Sequence, residues 1–112
     1  MDNSVNIAGE LANWPDKIEL TKILRAGGLN VTEGDYCIRV NDCSHFVFQE
    51  FGGDSGDPQI EAEADSLEIM LSEGGMVSKV LADAGIKHRF EIYDTEDKMV
   101  GYLHFGWPNE QE

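Results

Sequence analysis

The pattern of apolar and polar positions predicts a helix at two places in the chain. Residues 16–26 follow a proline, carry acidic residues first and basic residues last, and end at a Gly-Gly pair, as helices commonly do. Residues 67–84 follow Ser66, a good N-cap, and precede Gly85. The residues with helical spacing in this second stretch are Leu67, Met70, Leu71, Gly74, Val77, Leu81 and Ala84.

Two adjacent glycines stand in the middle of the second predicted helix. Gly74 and Gly75 together cost about 2 kcal/mol of helix propensity, so we expect a kink there or a break into two helices. A competing interpretation continues the preceding strand through Leu67, Ile69 and Leu71, which also alternate with polar residues. We favour the helix because this stripe is the most regular in the chain.

Five stretches alternate in polarity or are dense in β-branched and aromatic residues, which is typical of strands. They are residues 36–40, 45–51, 60–64, 87–93 and 98–105. The last two flank an acidic turn, and pairing Tyr93 with Lys98 sorts their side chains onto two faces. The face predicted to lie in the core carries His88, Phe90, Ile92, Met99, Gly101, Leu103 and Phe105.

The predicted order of elements is α-β-β-β-α-β-β. We therefore expect an α+β fold in which two helices pack on a mostly antiparallel five-stranded sheet. Residues 1–14 are polar with isolated apolar positions, and we interpret them as an N-terminal arm that is loose or becomes helical against the body. Residues 15–108 then form a single α+β domain, and residues 109–112 form a mobile acidic tail.

The length allows one domain, and the composition is that of a globular protein. The chain has 112 residues, of which 41% are hydrophobic and 27% charged. Its 22 acidic and 8 basic residues give a formal net charge of −14 at pH 7. Such a charge repels nucleic acid and anionic membranes, so we expect neither as a partner. It attracts basic proteins, and it also keeps a small protein in solution.

Membrane insertion and secretion have no support in the sequence. No apolar run reaches the ~18–20 residues of a membrane-spanning helix, and residues 1–14 lack the basic and apolar segments of a secretory signal. The two cysteines, Cys37 and Cys43, are fewer than a small secreted scaffold usually carries. We therefore expect a cytoplasmic protein with both thiols reduced.

Acidic residues are concentrated in one segment of the chain. No Lys or Arg occurs between Val40 and Ser78, whereas nine Asp or Glu residues do. A charge distribution this uneven steers basic proteins towards one face, and nearby aromatic residues can anchor them there. The residues that we expect to contact a partner are Asp54, Asp57, Glu61, Glu63, Asp65, Glu68, Phe46 and Phe48.

The sequence contains no motif that identifies a catalytic or ligand-binding site. Its cysteines and histidines lack the spacings of a zinc site, and the loop 52–58 lacks the ligand ladder of a calcium site. Cys43 and His45 are close enough for a thiolate pair, but no helix start, nucleophile elbow or phosphate-binding loop supports catalysis. We therefore expect no metal and no cofactor, and a binding protein rather than an enzyme.

These observations favour a small acidic cytosolic protein that binds another protein through an acidic face. The partner is either a basic protein, as for an inhibitor or immunity protein, or an extended polypeptide, as for a chaperone. The order of elements is similar in layout to that of class I type III secretion chaperones, although no motif is shared and their C-terminal helix has no counterpart.

Two further interpretations stay open at this point. One is a small-molecule binding domain or minor enzyme, with a pocket between helix 67–84 and the sheet. The other concerns assembly, since two helices on five strands leave one sheet face half covered and favour a homodimer.

Overall fold

The computed structural model describes residues 3–49 and 58–106. In chain order, the elements of this part are β1 (Val5–Leu11), α1 (Lys17–Ala26), β2 (Val31–Glu33), β3 (Cys37–Val40), β4 (His45–Gln49), β5 (Gln59–Ala64), α2 (Leu67–Asp83), β6 (His88–Tyr93) and β7 (Met99–Phe105). The seven strands form one antiparallel sheet in the spatial order β2-β3-β4-β5-β1-β6-β7. No helix in the described part of the chain is both long and apolar enough to cross a membrane.

The α+β class, with two helices and an antiparallel sheet, is confirmed, but the predicted number of strands is too low. Residues 5–11, which we interpreted as part of a loose or helical arm, form β1 in the interior of the sheet, between β5 and β6. Residues 31–33 form the edge strand β2, which was not predicted. Because the observed order begins with a strand, the similarity in layout to secretion chaperones does not hold.

Local signals in the sequence set both helix boundaries. The carboxylate of Asp16 and the hydroxyl of Ser66 each accept a hydrogen bond from the backbone N–H three residues later, at 2.8 and 3.2 Å. Each helix ends in a Schellman motif with a glycine in the left-handed region, Gly28 at φ 96° and Gly85 at φ 78°. These ends agree with the predicted ones.

Helix α2 runs through both of its central glycines, so the predicted break into two helices and the strand alternative are wrong. Gly74 is buried where the helix lies against the sheet. A Cβ at this position would lie 3.2 Å from Leu103 Cδ1 and 3.4 Å from Ile7 Cδ1. The missing side chain therefore allows the helix to approach β1 and β7 closely, and packing compensates for the weak helix propensity.

Both helices cover the same face of the sheet, and the core lies between the two layers. The rings of Phe46, Phe48 and Phe90 pack against one another there, with neighbouring centroids 5.5 to 5.6 Å apart. Leu20 and Leu24 of α1 and Val77 and Leu81 of α2 are completely buried above them. Every second residue of the strands thus faces the helices, which leaves the alternate residues on the opposite side.

The β6–β7 hairpin keeps its predicted core face, although the predicted register is wrong by two residues. Ile92 pairs with Gly101 instead of Met99. A shift of two residues leaves each side chain on the same face, because the side-chain period of a strand is two. A bulge at the turn end places Met99 opposite Tyr93, and Met99 is exposed instead of buried.

Candidate functional site

The face of the sheet opposite the helices, here called the open face, carries Glu61 and Glu63, two of the predicted partner-binding carboxylates. Its side chains on the four central strands are His45, Val47 and Gln49 of β4; Gln59, Glu61 and Glu63 of β5; Asn6, Ala8 and Glu10 of β1; and Arg89, Glu91 and Tyr93 of β6. β1 and β5 alternate between buried and exposed residues, so their open-face side chains reach solvent, whereas Val47 of β4 is only 7% exposed.

A row of three residues crosses the middle of the open face. Ala8 pairs with Glu61 on one side and with Glu91 on the other, so two glutamates flank a single methyl group. The short side chain leaves two adjoining depressions of about 350 and 260 Å³, both bordered by Ala8 and Gln59. We call this groove the acidic trough, and its carboxylates are Glu10, Glu61, Glu63 and Glu91.

Few positive charges offset these carboxylates. Arg89 forms ion pairs with two of them, since its Nη2 lies 3.0 Å from Glu10 Oε1 and its Nη1 lies 3.6 Å from Glu91 Oε2. His45 Nε2 lies 3.4 Å from Glu61 Oε2 and is a cation only when protonated. Four carboxylates against one guanidinium leave the trough with a formal charge of −3 when His45 is neutral. The trough is therefore suited to a positively charged group.

Neutral donors orient two of the trough carboxylates. The Gln49 amide donates to Glu61 Oε1 at 2.5 Å, and the Tyr93 hydroxyl donates to Glu91 Oε1 at 2.9 Å. The second hydrogen bond raises the pKa of Tyr93 above its usual value, since the bonded hydroxyl must stay protonated to donate. Both carboxylates thus accept a hydrogen bond from a neutral side chain, which orients them without adding a positive charge.

The structure brings together some of the predicted partner-binding residues and separates others. Glu61 and Glu63 line the trough, and Asp65 follows them beside a neighbouring depression of about 400 Å³ that Glu63 and His45 also border. Glu68 lies in the first turn of α2, in the helical layer, and does not join them. Asp54 and Asp57 lie outside the described residues.

The predicted aromatic anchors are wrong. Phe46 and Phe48 are 1% and 0% exposed, because both point into the core beneath the helices. The edge of Trp14 packs against Phe48, at a centroid distance of 6.4 Å, and closes that side of the ring. Neither phenylalanine can contact a partner while the protein is folded.

Among the trough residues that sequence reasoning missed are Ala8, Glu10 and Glu91. Ala8 and Glu10 belong to the segment that we interpreted as an arm. The alternation of Val5, Ile7 and Leu11 with polar or small residues was the signal for a half-buried strand there. Glu91 was assigned to the correct face of its hairpin, but nothing local indicated that β1 would place Glu10 and Glu61 next to it.

The thiol of Cys43 is not activated as a nucleophile. Burial, followed by the charges of Glu73 and Asp42, raises the pKa of Cys43 to about 12. Its Sγ lies 3.8 Å from the carbonyl oxygen of Glu73, a contact that keeps the proton on sulfur. A thiolate pair with His45 therefore has no support. Within the described residues, no cluster of three or more His, Cys, Asp or Glu side chains could hold a metal ion.

A serine–histidine pair lies within the core instead of a cleft. His88 Nε2 is 2.6 Å from Ser78 Oγ, and His88 Nδ1 is 2.9 Å from the carbonyl oxygen of Ile86. A carbonyl oxygen can only accept, so Nδ1 carries the proton and the Ser78 hydroxyl donates to Nε2. Because His88 is completely buried and stacks on Phe105, no substrate can reach its ring. The pair holds α2 against β6.

At the start of α2, near the predicted small-molecule pocket, the structure has an open depression. A space of about 480 Å³ lies where the start of α2 meets the ends of β1 and β7, next to Leu67 and Val100. Asp94 and Glu96 border it, and it is open to solvent. Ligand sites usually enclose most of the ligand and direct several polar groups towards it. This depression is instead open to solvent, so we propose no ligand for it.

Comparisons with protein-family models, with curated proteins and with solved structures find no match for this chain. The functional argument therefore rests on the geometry of its own residues. Within that geometry, the acidic trough combines four carboxylates with a groove that is open to solvent.

Proposed function

We propose that this protein binds a basic protein partner, and that the acidic trough receives the lysine or arginine side chains of that partner. The row Glu61–Ala8–Glu91 carries the proposal, because it combines two carboxylates with a gap between them, and Ala8 and Glu61 are exposed. The acidic character of the whole chain supports the same direction of recognition, since it accelerates the approach of basic molecules.

The dimensions of the trough suit a long basic side chain. Adjacent strands lie about 4.8 Å apart, so the α-carbons of Glu61 and Glu91 are about 10 Å apart across β1. The Ala8 methyl group forms the floor between them. An ammonium or guanidinium group above this methyl can approach a carboxylate on each side, and an arginine can bind one of them with two parallel hydrogen bonds.

The trough also has the length of a short extended segment. It follows β1 from Asn6 to Glu10, a distance of about 14 Å at 3.4 Å per residue. An extended partner segment presents every second side chain to the same surface. A segment with basic residues at alternate positions would therefore place one beside Glu63, one above Ala8 and one near Glu10.

The strength of this interaction should depend on charge and on salt. Exposed ion pairs contribute about 0.2–1 kcal/mol each. Reversing two carboxylates removes two favourable pairs and adds two repulsive ones, which amounts to about 1–4 kcal/mol, or about a 5- to 900-fold loss of affinity. The other negative charges of the protein mainly accelerate association with a basic partner, and this effect is largest at low salt.

The test uses a defined probe. A peptide of alternating lysine and alanine is titrated into the ¹⁵N-labelled protein at low salt, and a peptide of alternating glutamate and alanine serves as the control ligand. We expect chemical-shift changes along β1, β5 and β6, and none on the outer surfaces of α1 and α2. Binding to the lysine peptide with shifts confined to the helical layer would contradict the proposed surface.

Two variants separate the surface from the net charge. Glu61→Lys/Glu63→Lys reverses two trough carboxylates, whereas Glu19→Lys/Glu96→Lys changes the net charge equally at exposed sites in α1 and in the β6–β7 turn. We expect the first variant to lose at least fivefold in affinity and the second to change by less than twofold. Equal losses in both variants would mean that only the overall charge matters, and the trough proposal would then be wrong.

A third variant tests the shape without changing the charge. Ala8→Leu fills the gap between Glu61 and Glu91, while its side chain stays on the exposed face of a strand. We expect weaker binding of the lysine peptide with an unchanged circular dichroism spectrum. Full affinity in Ala8→Leu would show that the gap has no part in recognition.

A further inference from the structure

The two edges of the sheet are protected to very different degrees. The edge strand β2 has only three residues, and side chains of α1 hold it: Arg25 Nη2 donates to the Val31 carbonyl at 3.2 Å, and Lys17 pairs with Glu33 at 3.5 Å. Short edges and charged side chains are the usual means of preventing further strand pairing. The opposite edge, β7, has seven residues and no acidic side chain.

β7 exposes an unusual amount of apolar surface. Met99, Val100, Tyr102 and Phe105 are each 36% to 53% exposed, and all four belong to β7. β7 is also the last strand of the sheet, so its outer backbone groups face no other strand among the described residues. A long apolar edge of this kind is a template for pairing with another strand.

We propose that β7 pairs in antiparallel fashion with β7 of a second copy, so that two chains form one continuous sheet of fourteen strands around a twofold axis. The inference is independent of the proposed function, because it concerns an edge strand, whereas the proposed function concerns the open face. Charge is what favours a second copy as the occupant. Each chain carries a net charge of −14, so two copies can meet only where few carboxylates face each other.

The spacing of strands shows why β7 meets that condition. With strands about 4.8 Å apart, pairing at β7 leaves the two copies of Glu91 on β6 about 14 Å apart, and the two copies of β5 about 34 Å apart. Both distances exceed the screening length of about 8 Å at physiological ionic strength. Glu61 and Glu63 of one copy therefore barely repel those of the other.

A basic partner has no reason to prefer the same edge. Lysine and arginine side chains gain energy near carboxylates, and β7 offers none between Met99 and Phe105. The apolar side chains of β7, among which no carboxylate lies, are instead matched by the same side chains on another copy. Such a contact is isologous and closes at two subunits, so it does not produce fibres.

Side-chain parity sets the register of the pair. Residues directly opposite in an antiparallel pair lie on the same face. A twofold axis perpendicular to the sheet must therefore pass between one residue and the same residue of the second copy. The central residue of β7 is Tyr102, and this choice allows all seven residues to pair. Gly101 then lies opposite Leu103 of the second copy, on the helix-covered side.

The same symmetry places both acidic troughs on one side of the assembly. A twofold axis perpendicular to the sheet keeps the helices of both copies on the same side, so the open faces are also adjacent. A dimeric protein would thus present two troughs in one plane to a basic partner, and the two sites would bind with a raised effective concentration.

The first test measures the mass in solution over a range of concentrations. Sedimentation equilibrium at physiological salt should give twice the chain mass of 12.4 kDa for the native protein. Tyr102→Lys places two like charges opposite each other at the axis and should yield the monomer mass. Tyr36→Lys, at an exposed tyrosine near the other edge of the sheet, is the matched control and should remain dimeric.

A second test uses disulfide formation to report the register. In a Cys37→Ser background, Tyr102→Cys should form a disulfide-linked dimer rapidly on mild oxidation, because self-paired α-carbons lie about 4.5–5.5 Å apart. Val100→Cys should not, since the two copies of residue 100 would lie about 14 Å apart along the strands.

Three outcomes would overturn the inference. A monomeric native protein at all concentrations would do so, and would leave the edge to an extended peptide of another protein. A dimer that persists in Tyr102→Lys, with the circular dichroism spectrum of the native protein, would place the interface elsewhere. Equal cross-linking of Tyr102→Cys and Val100→Cys would exclude the proposed register.

Discussion

Replacing Gly75 with alanine should stabilise the protein, and the expected size of the effect follows from the position of this glycine in α2. Gly75 lies inside the helix, and a Cβ added there meets nothing within 4 Å. The substitution therefore changes helix propensity without changing the packing. Alanine exceeds glycine by about 0.8–1.0 kcal/mol in a helix interior, largely because glycine loses more backbone freedom on folding.

This gain can be converted into observable shifts. Unfolding entropies near 2.1 cal/mol/K per residue imply that 1 kcal/mol raises the Tm of a chain of this length by about 4 °C. In urea, a slope of about 1–2 kcal/mol/M moves the unfolding midpoint upwards by about 0.5–1 M. Urea titration followed by far-ultraviolet circular dichroism and by tryptophan fluorescence measures the shift and tests for a two-state transition.

The neighbouring glycine supplies the control. Gly74→Ala has the same propensity gain, but its Cβ would lie 3.2 Å from Leu103 Cδ1 and 3.4 Å from Ile7 Cδ1, at or below the lower limit of ordinary van der Waals contact. Overpacking typically costs about 1–3 kcal/mol, so Gly74→Ala should be at least 1 kcal/mol less stable than Gly75→Ala. A lower midpoint for Gly75→Ala than for the native protein would refute the propensity argument, and equal midpoints for the two variants would refute the tight contact of Gly74 with Leu103 and Ile7.

Two further predictions concern buried titratable groups. Burial lowers the pKa of His88 below its unfolded value of about 6.5, so the stability contributed by the neutral ring is complete above that value and is lost as the pH falls towards the folded pKa. The difference in urea midpoint between the native protein and His88→Gln should therefore shrink from pH 7.5 to pH 5.5, and a constant difference would contradict this reasoning. Since the pKa of Cys43 is raised from 9.0 to about 12, iodoacetamide should alkylate Cys43 of folded Cys37→Ser about a thousandfold more slowly than that of the urea-unfolded chain at pH 8. Similar rates in both states would show that Cys43 is accessible and ordinary.

The two proposed surfaces make different demands on the same sheet. The acidic trough uses side chains of the open face and leaves the strand edges alone, whereas the β7 contact uses an edge and leaves the open face uncovered. Glu61→Lys/Glu63→Lys should therefore keep the dimer mass, and Tyr102→Lys should retain the site for a single lysine peptide. Each proposal can thus fail without affecting the other.

Interactions that are local in sequence were read correctly from the sequence. Ser66 caps the start of α2 as predicted, and Gly28 and Gly85 occupy the left-handed positions at the helix ends, because each of these contacts spans only a few residues. Asp16, which we placed inside the first helix, is instead the residue that caps it. The two faces of β6 and β7 were also correct except at Met99, which the bulge displaces, since alternation along a strand does not depend on its neighbours.

The register of the β6–β7 hairpin could not be predicted from local sequence in the same way. The turn makes it differ from the prediction: Asp97 adopts φ 61°, and the Asp94 carboxylate accepts the N–H groups of Glu96 and Lys98. These hydrogen bonds lower the pKa of Asp94 and close a loop followed by a bulge. Alternation of apolar residues cannot distinguish registers two residues apart, because both bury the same side chains.

The sequence by itself determined the helices, their ends, the α+β class and the excess of acid. Only the tertiary structure decided that residues 5–11 form an interior strand, and that Glu10, Glu61 and Glu91 meet around Ala8. The physical reason is that a strand is completed by partners far along the chain, here β5 and β6, so its place in a sheet has no local signature. The burial of Phe46 and Phe48 had the same origin, since strand composition does not reveal which face the helices will cover.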